Sequence, residues 1–356
     1  MKALICWSHI SGYMAACWRA LASAGVDVSV LAFRTDVAGS GTQAAFKDDV
    51  VAGLDVRLLS PDEQQNAGLV LSHAVEKKTD VIVVPGWFHP PYRALVNATE
   101  LAGVKFIMTM DTPWRNQWRQ KIARLKIGSF VDRMSAVVVA GERAWQYARQ
   151  LGVPEQKILR GVYGFDAAPL EDLLEQRKRS WPRKFLYVGR YVEDKAIDVL
   201  LRGYEAYRQR SQNPWPLVCC GQGPGRAAVQ ATSGVTDLGF VQPSELPRVL
   251  LEHGVFVIAS RYEPWGVAIA EAQYSGLPVI CTEACGASVE LVRHLANGLL
   301  VPTEDSSALA AAMHWMQHHA DQLPSMGEVG KELARPFAAE FWARRWKSKL
   351  EEVVAG

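Results

Sequence analysis

From its first residues the chain sets short apolar runs against longer helical patterns, and that alternation leaves few folds open to it. Runs at residues 3–7, 28–33, 56–59, 81–84, 106–109 and 136–140 are separated by helical patterns at 14–24, 67–78, 92–101 and 143–151. Strands apolar along their whole length suit a parallel sheet covered on both faces, which predicts an α/β class. A second series repeats the pattern, with strands at 185–188, 217–220, 236–238, 255–258 and 278–281 and helices at 197–208, 227–231, 245–252 and 267–274. Helices at 306–319 and 338–353 close the chain. Single cores stop growing near about 250 to 300 residues, so two series in 356 residues predict two Rossmann-like domains. The charged stretch 166–184 predicts a linker with a short helix. Ligands of open α/β sheets bind beyond the carboxyl ends of the strands, so the active site is expected in the cleft between two facing domains.

Acids and bases nearly balance, at a net charge of +2, and no global field points to DNA or RNA as a partner. The six cysteines, at 6, 17, 219, 220, 281 and 285, match neither a disulfide framework nor paired zinc ligands, which predicts buried thiols and no metal site. MKALICW is too short for a signal sequence, and no run approaches the roughly twenty apolar residues of a membrane span. A cytoplasmic protein is expected, with peripheral contact at the inner face of a membrane left open.

The stretch 259–278, ASRYEPWGVAIAEAQYSGLP, concentrates the chemistry. It follows the strand at 255–258, places Glu263 in a turn marked by Pro264 and Gly266, and starts a helix at Val267 that carries Glu271. A helix N-terminus attracts phosphate, and carboxylates accept hydrogen bonds from sugar hydroxyls. The pair therefore suggests a nucleotide-sugar site. RYVEDKAID, after the strand at 185–188, adds Arg190 and Lys195 in one loop, where a guanidinium can grip two oxygens and an ammonium supplies a point charge. Taken alone, loop bases are most often solvated. CCGQGPGR supplies Gly221 in a glycine-rich turn without the dinucleotide spacing, and DLGFV places Gly239 and Phe240 where backbone groups could read a nucleobase.

In this order and spacing, VGRYVEDKAID, CGQGPGR, LGFVQPSEL, SRYEPWGVAIAEA, SGLPVI and NGLLVP resemble the retaining glycosyltransferases of family 4, which have the GT-B architecture of two Rossmann-like domains. The likeness is strong over residues 185–302 and collinear but weaker before them. It implies that residues 1–165 bind the acceptor and 166–335 the donor, with 336–356 a helix crossing back to the first domain. By the same resemblance Arg190 and Lys195 hold the donor diphosphate, Glu271 the ribose hydroxyls and Glu263 the donor sugar. Gly266 and Val267 supply backbone to sugar and phosphate. Gly286 and Glu290, in ACGASVELV, match a family loop and acid by the resemblance alone, and a carboxylate in the first turn of a helix, near the positive end of its dipole, is the structural alternative for Glu290.

Gly12 in SHISGY stands where the family has a glycine loop near the donor phosphates, with one glycine here in place of two. His9, His89 and Asp111 follow strands of the first half, and many family members carry histidine where Asp111 stands. Asp111 could bind a hydroxyl, or cap a turn before Pro113. In WRNQWRQKIARLK, residues 114–126, Trp114, Trp118, Ile122 and Leu125 recur at helical spacing among bases. Such a stretch could face an anionic membrane or a lipid-phosphate acceptor, or pack on the sheet with its bases solvated, and the pair Trp114 and Trp118 could serve as a sugar platform.

The resemblance implies a retaining hexosyl transfer from a nucleotide-diphosphate sugar, with UDP or GDP as the donor nucleotide, to a glycan, lipid-linked or small-molecule hydroxyl, as in polysaccharide biosynthesis. No DxD motif occurs and no cofactor is expected. A GT-B epimerase and a non-catalytic nucleotide-sugar-binding subunit are the alternatives.

Overall fold

The computed structural model of the chain describes residues 1–34 and 48–356. Their contacts divide into two compact units, one of residues 1–34, 48–165 and Phe337–Gly356, the other Asp166–Pro336. In the first unit β1 (Lys2–Trp7), β2 (Asp27–Phe33), β3 (Asp55–Leu59), β4 (Val81–Val84), β5 (Lys105–Met110), β6 (Ala136–Val139) and β7 (Ile158–Arg160) pair in parallel in the order β3-β2-β1-β4-β5-β6-β7. In the second, β8 (Phe185–Val188), β9 (Leu217–Cys220), β10 (Val235–Gly239), β11 (Val255–Ile258), β12 (Val279–Thr282) and β13 (Gly298–Val301) run β10-β9-β8-β11-β12-β13. Both are Rossmann-like.

Burial follows position in the sheet. VIVV in β4, AVVV in β6 and VFVI in β11 are buried at every residue, as strands covered on both faces must be, whereas the edge strands β3 and β10 are partly exposed and carry the polar residues. Tyr92 sits in the first core, and its hydroxyl donates to the carbonyls of Trp7 and Leu31 at 3.2 and 2.9 Å. All six cysteines are buried and none forms a disulfide.

The differences from the sequence expectation have local causes. The helix expected at 92–101 is two pieces, Pro90–Leu95 and a 3-10 turn Thr99–Leu101, because Ala98 is extended at ψ 128°. β7, β13 and the helix Leu323–Ala334 are additional elements. The charged stretch 166–184 is a packed part of the second unit and not a linker. Its helix Leu173–Lys178 buries Arg177, whose guanidinium donates to the carbonyls of His253 (2.9 Å), Leu250 (2.7 Å) and Ser275. Those carbonyls end the helices Leu246–Leu251 and Val267–Tyr274, where a cation is favoured.

Each strand order reverses once, between β1 and β4 in the first unit and between β8 and β11 in the second. Such switch points open a crevice at the carboxyl ends of the strands.

Candidate functional site

In the second unit the loops after β8 and β11 meet at that switch point. Lys195 ends a 3-10 turn, Glu193–Lys195, and its ammonium donates to the Glu263 carboxylate, with the two side chains only 12% and 13% exposed. Arg261 holds the loops together. Its guanidinium pairs with Asp198 at 2.8 Å and with Glu304, while its backbone N–H donates to the Asp194 carbonyl at 2.8 Å. The bond from Arg261 holds the Asp198 carboxyl down to about 2. Sequence reasoning missed Arg261, because a base two residues before Glu263 carries no motif of its own.

Gly266 is the N-cap of the helix Val267–Tyr274, at φ 107°, a conformation glycine adopts without strain. Val267 opens the helix and Glu271 lies one turn in. Glu271 as a whole is partly buried, but its carboxyl is surrounded by protein; burial, reinforced by the like charge of Asp166, pushes it up to about 8. Arg190 stands exposed in the β8 loop, its carbonyl accepting from the Tyr187 hydroxyl at 2.8 Å.

The glycines have structural reasons. A Cβ on Gly221 would lie 1.9 Å from the Gly189 carbonyl oxygen, so only glycine lets the turn after β9 lie against the β8 loop. Gly286 is in the same position against the Pro264 carbonyl oxygen, at 2.0 Å, and its N–H donates to the Glu263 carbonyl at 2.9 Å. Gly239, at φ 69°, accepts at its carbonyl from the Gly221 N–H at 2.7 Å and donates to Asp237, and Phe240 beside it is half-buried. Burial works against the charge on Asp237, but Arg226, the Gly239 N–H, Tyr191 and Gln230 outweigh it and hold its carboxyl low. Glu290 is half-buried in the first turn of the short helix Ser288–Leu291.

In the first unit a cavity of about 150 Å³ opens at the carboxyl ends of β1, β4, β5 and β7. His9, His89 and Asp111 all line it, with Tyr13, Trp87, Phe88 and Tyr163. His89 Nε2 lies 3.2 Å from the Ser8 hydroxyl, and burial lowers its pKa, which favours the neutral ring. Asp111 accepts from the Tyr163 hydroxyl at 2.8 Å, across 52 residues of sequence. Tyr163 follows β7, a strand too short to announce itself. Gly12 is the first residue of the helix Gly12–Ser23, which Ser11 caps by accepting from the Met14 N–H at 3.4 Å. Trp114 does not line the cavity; its ring packs on Tyr147 at 5.8 Å, as part of the core's rim.

Among the described residues no cluster of three or more His, Cys, Asp or Glu is placed to hold a metal ion, and no helix is long and apolar enough to cross a membrane.

Comparison with known proteins adds the family. The model for glycosyl transferases group 1 matches residues 182–319, and that for the glycosyl transferase 4-like domain matches 10–160. The D-rhamnosyltransferase WbpZ of Pseudomonas aeruginosa is 26% identical over 220 residues, 58% of this chain and 56% of that protein. The D-inositol 3-phosphate glycosyltransferase of Salinispora tropica is 28% identical over 198 residues, 50% of this chain and 40% of its own length. The match thus spans about half or less of these curated relatives. Among solved structures, Anabaena HepE in complex with UDP and glucose superposes with a TM-score of 0.75 at 17% identity, covering 99% of both chains. The sucrose-phosphate synthase of Thermosynechococcus elongatus does so at 0.76 and 18%, covering 100% of this chain and 99% of that one. These likenesses carry the fold. With two family models in tandem over most of its length and a Rossmann-like unit under each, the chain belongs to the group 1 glycosyl transferases of GT-B fold.

Proposed function

We propose that the chain transfers a sugar from a nucleotide-diphosphate sugar to an acceptor hydroxyl with retained anomeric configuration. The observation that carries this reading is the meeting of Lys195 with Glu263 ahead of the helix that bears Glu271, at the β8/β11 switch point. A diphosphate takes the Lys195 ammonium, Arg190 grips a second oxygen, and the N-terminus of the helix Val267–Tyr274 faces the same charge. Glu263, released from Lys195, then accepts from the donor sugar, and Glu271 accepts from the ribose. Gly239 and Phe240 border the base. The UDP in the HepE structure and the sugar-transferring relatives support UDP or another nucleoside diphosphate as the leaving group.

The acceptor is assigned to the cavity of the first unit. Asp111, oriented by Tyr163, accepts from its hydroxyl, and His9 and His89 supply further polar contacts. As the bond from the anomeric carbon to the phosphate oxygen breaks, the acceptor oxygen bonds that carbon from the same face, and its proton passes to the departing phosphate. Protein donors meet the leaving charge, and loss of one such donor lowers rates by about 100-fold or more.

The test uses purified protein with UDP-, GDP- and ADP-sugars, first by thermal shift and then by product analysis with and without acceptor sugars. Glycosylated product is expected from one donor, with turnover nearly abolished in Lys195→Ala and in Glu263→Ala. Near-normal turnover in either variant, or an epimerised sugar formed from donor alone, overturns the assignment.

A further inference from the structure

We propose that residues 115–126 of the first unit form a docking face for an anionic lipid bilayer. The helical stripe of this stretch does not stay together in the fold. Trp114 turns inward onto Tyr147, whereas Trp118 is 65% exposed, Ile122 37% and Leu125 87%. Three large apolar side chains within eight residues thus point to solvent on two successive helices, Trp118–Lys121 and Ala123–Asp132, that meet at Ile122. The second helix already has its core contact through Ile127, Phe130 and Val131, so folding does not account for the exposed group.

Charge decides what would cover it. Arg115, Arg119, Lys121 and Lys126 are exposed among these residues, and no acid occurs between Asp111 and Asp132, in a chain whose net charge is only +2. Arg124 acts differently, since its guanidinium is held by both Asp132 oxygens, at 2.8 and 3.0 Å, and by the Leu151 carbonyl at 2.9 Å, which ties the face to the body of the unit. Arg119 lies over the Trp118 ring at 5.5 Å, an aromatic and base in contact that suits the headgroup region. Isolated apolar side chains standing among bases fit a fluid anionic surface, which accepts both without a matching shape.

Vesicle flotation of the whole protein tests this. Binding is expected to phosphatidylcholine vesicles containing phosphatidylglycerol, weak binding to phosphatidylcholine alone, and release at about 1 M salt, where charge is screened beyond about 3 Å. Each base near the surface contributes about fivefold, so Arg119→Glu, Lys121→Glu and Lys126→Glu together should lower the affinity by at least roughly 100-fold. Trp118→Ser with Leu125→Ser should lower it by roughly tenfold or more. All five positions are exposed, and the thermal midpoints should match that of the unaltered protein. Equal binding to both vesicle types, failure of the unaltered protein to float, or variants that float as it does overturn the proposal. So does a concentration-dependent dimer, lost in Leu125→Ser, without vesicle binding, which would make a second copy the covering surface.

Discussion

Glu271 shows how one side chain couples folding, pH and ligand. Its folded pKa of about 8 lies above the ordinary 4.5, so below about pH 4.5 the folded and unfolded chains both hold the proton. Between that pH and about 8 only the folded chain holds it; unfolding then releases a proton, and stability falls as pH rises through this window and levels above it. Glu271→Gln should remove the slope and be the more stable form at about pH 8, by roughly 1 to 3 kcal/mol, in denaturant titrations. Binding has the opposite sign. If the ribose needs the carboxylate, donor affinity rises by up to about tenfold per pH unit between about pH 6 and 8. Calorimetry that found the same pH dependence in the unaltered protein and in Glu271→Gln would remove Glu271 from the ribose site.

Among the elements, the loops after β8, β9 and β11 and the segment after β12 come together through backbone contacts that admit no side chain. Gly286 against Pro264 and Gly221 against Gly189 set that spacing, and Arg261 fastens the outer edge through Asp198 and Glu304. Gly286→Ala would force the Pro264 carbonyl away from a Cβ placed 2.0 Å from it, and so shift Glu263, whose carbonyl accepts from the Gly286 N–H. A loss of roughly 1 to 3 kcal/mol is expected, as for overpacked sites, with donor binding weakened at least as much as stability. Thermal unfolding with and without UDP-sugar separates the two effects, and an undiminished ligand-induced shift would show that this contact does not position Glu263.

In the whole molecule the chain returns to its first unit at the end. The helix Ala339–Ala355 lies against the helix Gly12–Ser23, and Trp342 and Trp346 donate from their indole N–H groups to the carbonyls of Val162 and Gly161, each at 2.9 Å. Gly164 is enclosed there too, since a Cβ on it would lie 2.8 Å from the Cys17 sulfur. The last helix therefore holds the strap that carries Tyr163, the partner of Asp111. Trp342→Ala opens a buried site and strands the Val162 carbonyl, for an expected loss of about 3 to 5 kcal/mol. Unfolding of the first unit well before the second in calorimetry would be the signature, and a single unchanged transition would contradict it.

Local order in the sequence was enough for most strands and for the helix Val267–Tyr274, because an apolar run or a helical period records which face of an element is buried. It also placed Glu263, Glu271, Arg190 and Lys195 on loops and helix starts, the ends of elements where ligands of such sheets bind. It did not resolve β7 or β13, whose few residues owe their conformation to neighbours far along the chain, nor that the short helix around Arg177 packs into the second unit. Composition even suggested a linker around Arg177, since a charged side chain counts as exposed until three distant carbonyls receive it. Only the tertiary structure joins Lys195 to Glu263 across 68 residues and Tyr163 to Asp111 across 52, and turns Trp114 inward while leaving Trp118 and Leu125 outside. Periodicity reports that a side chain has a face. What covers that face depends on packing between segments remote in sequence, and that is settled only when the chain has folded.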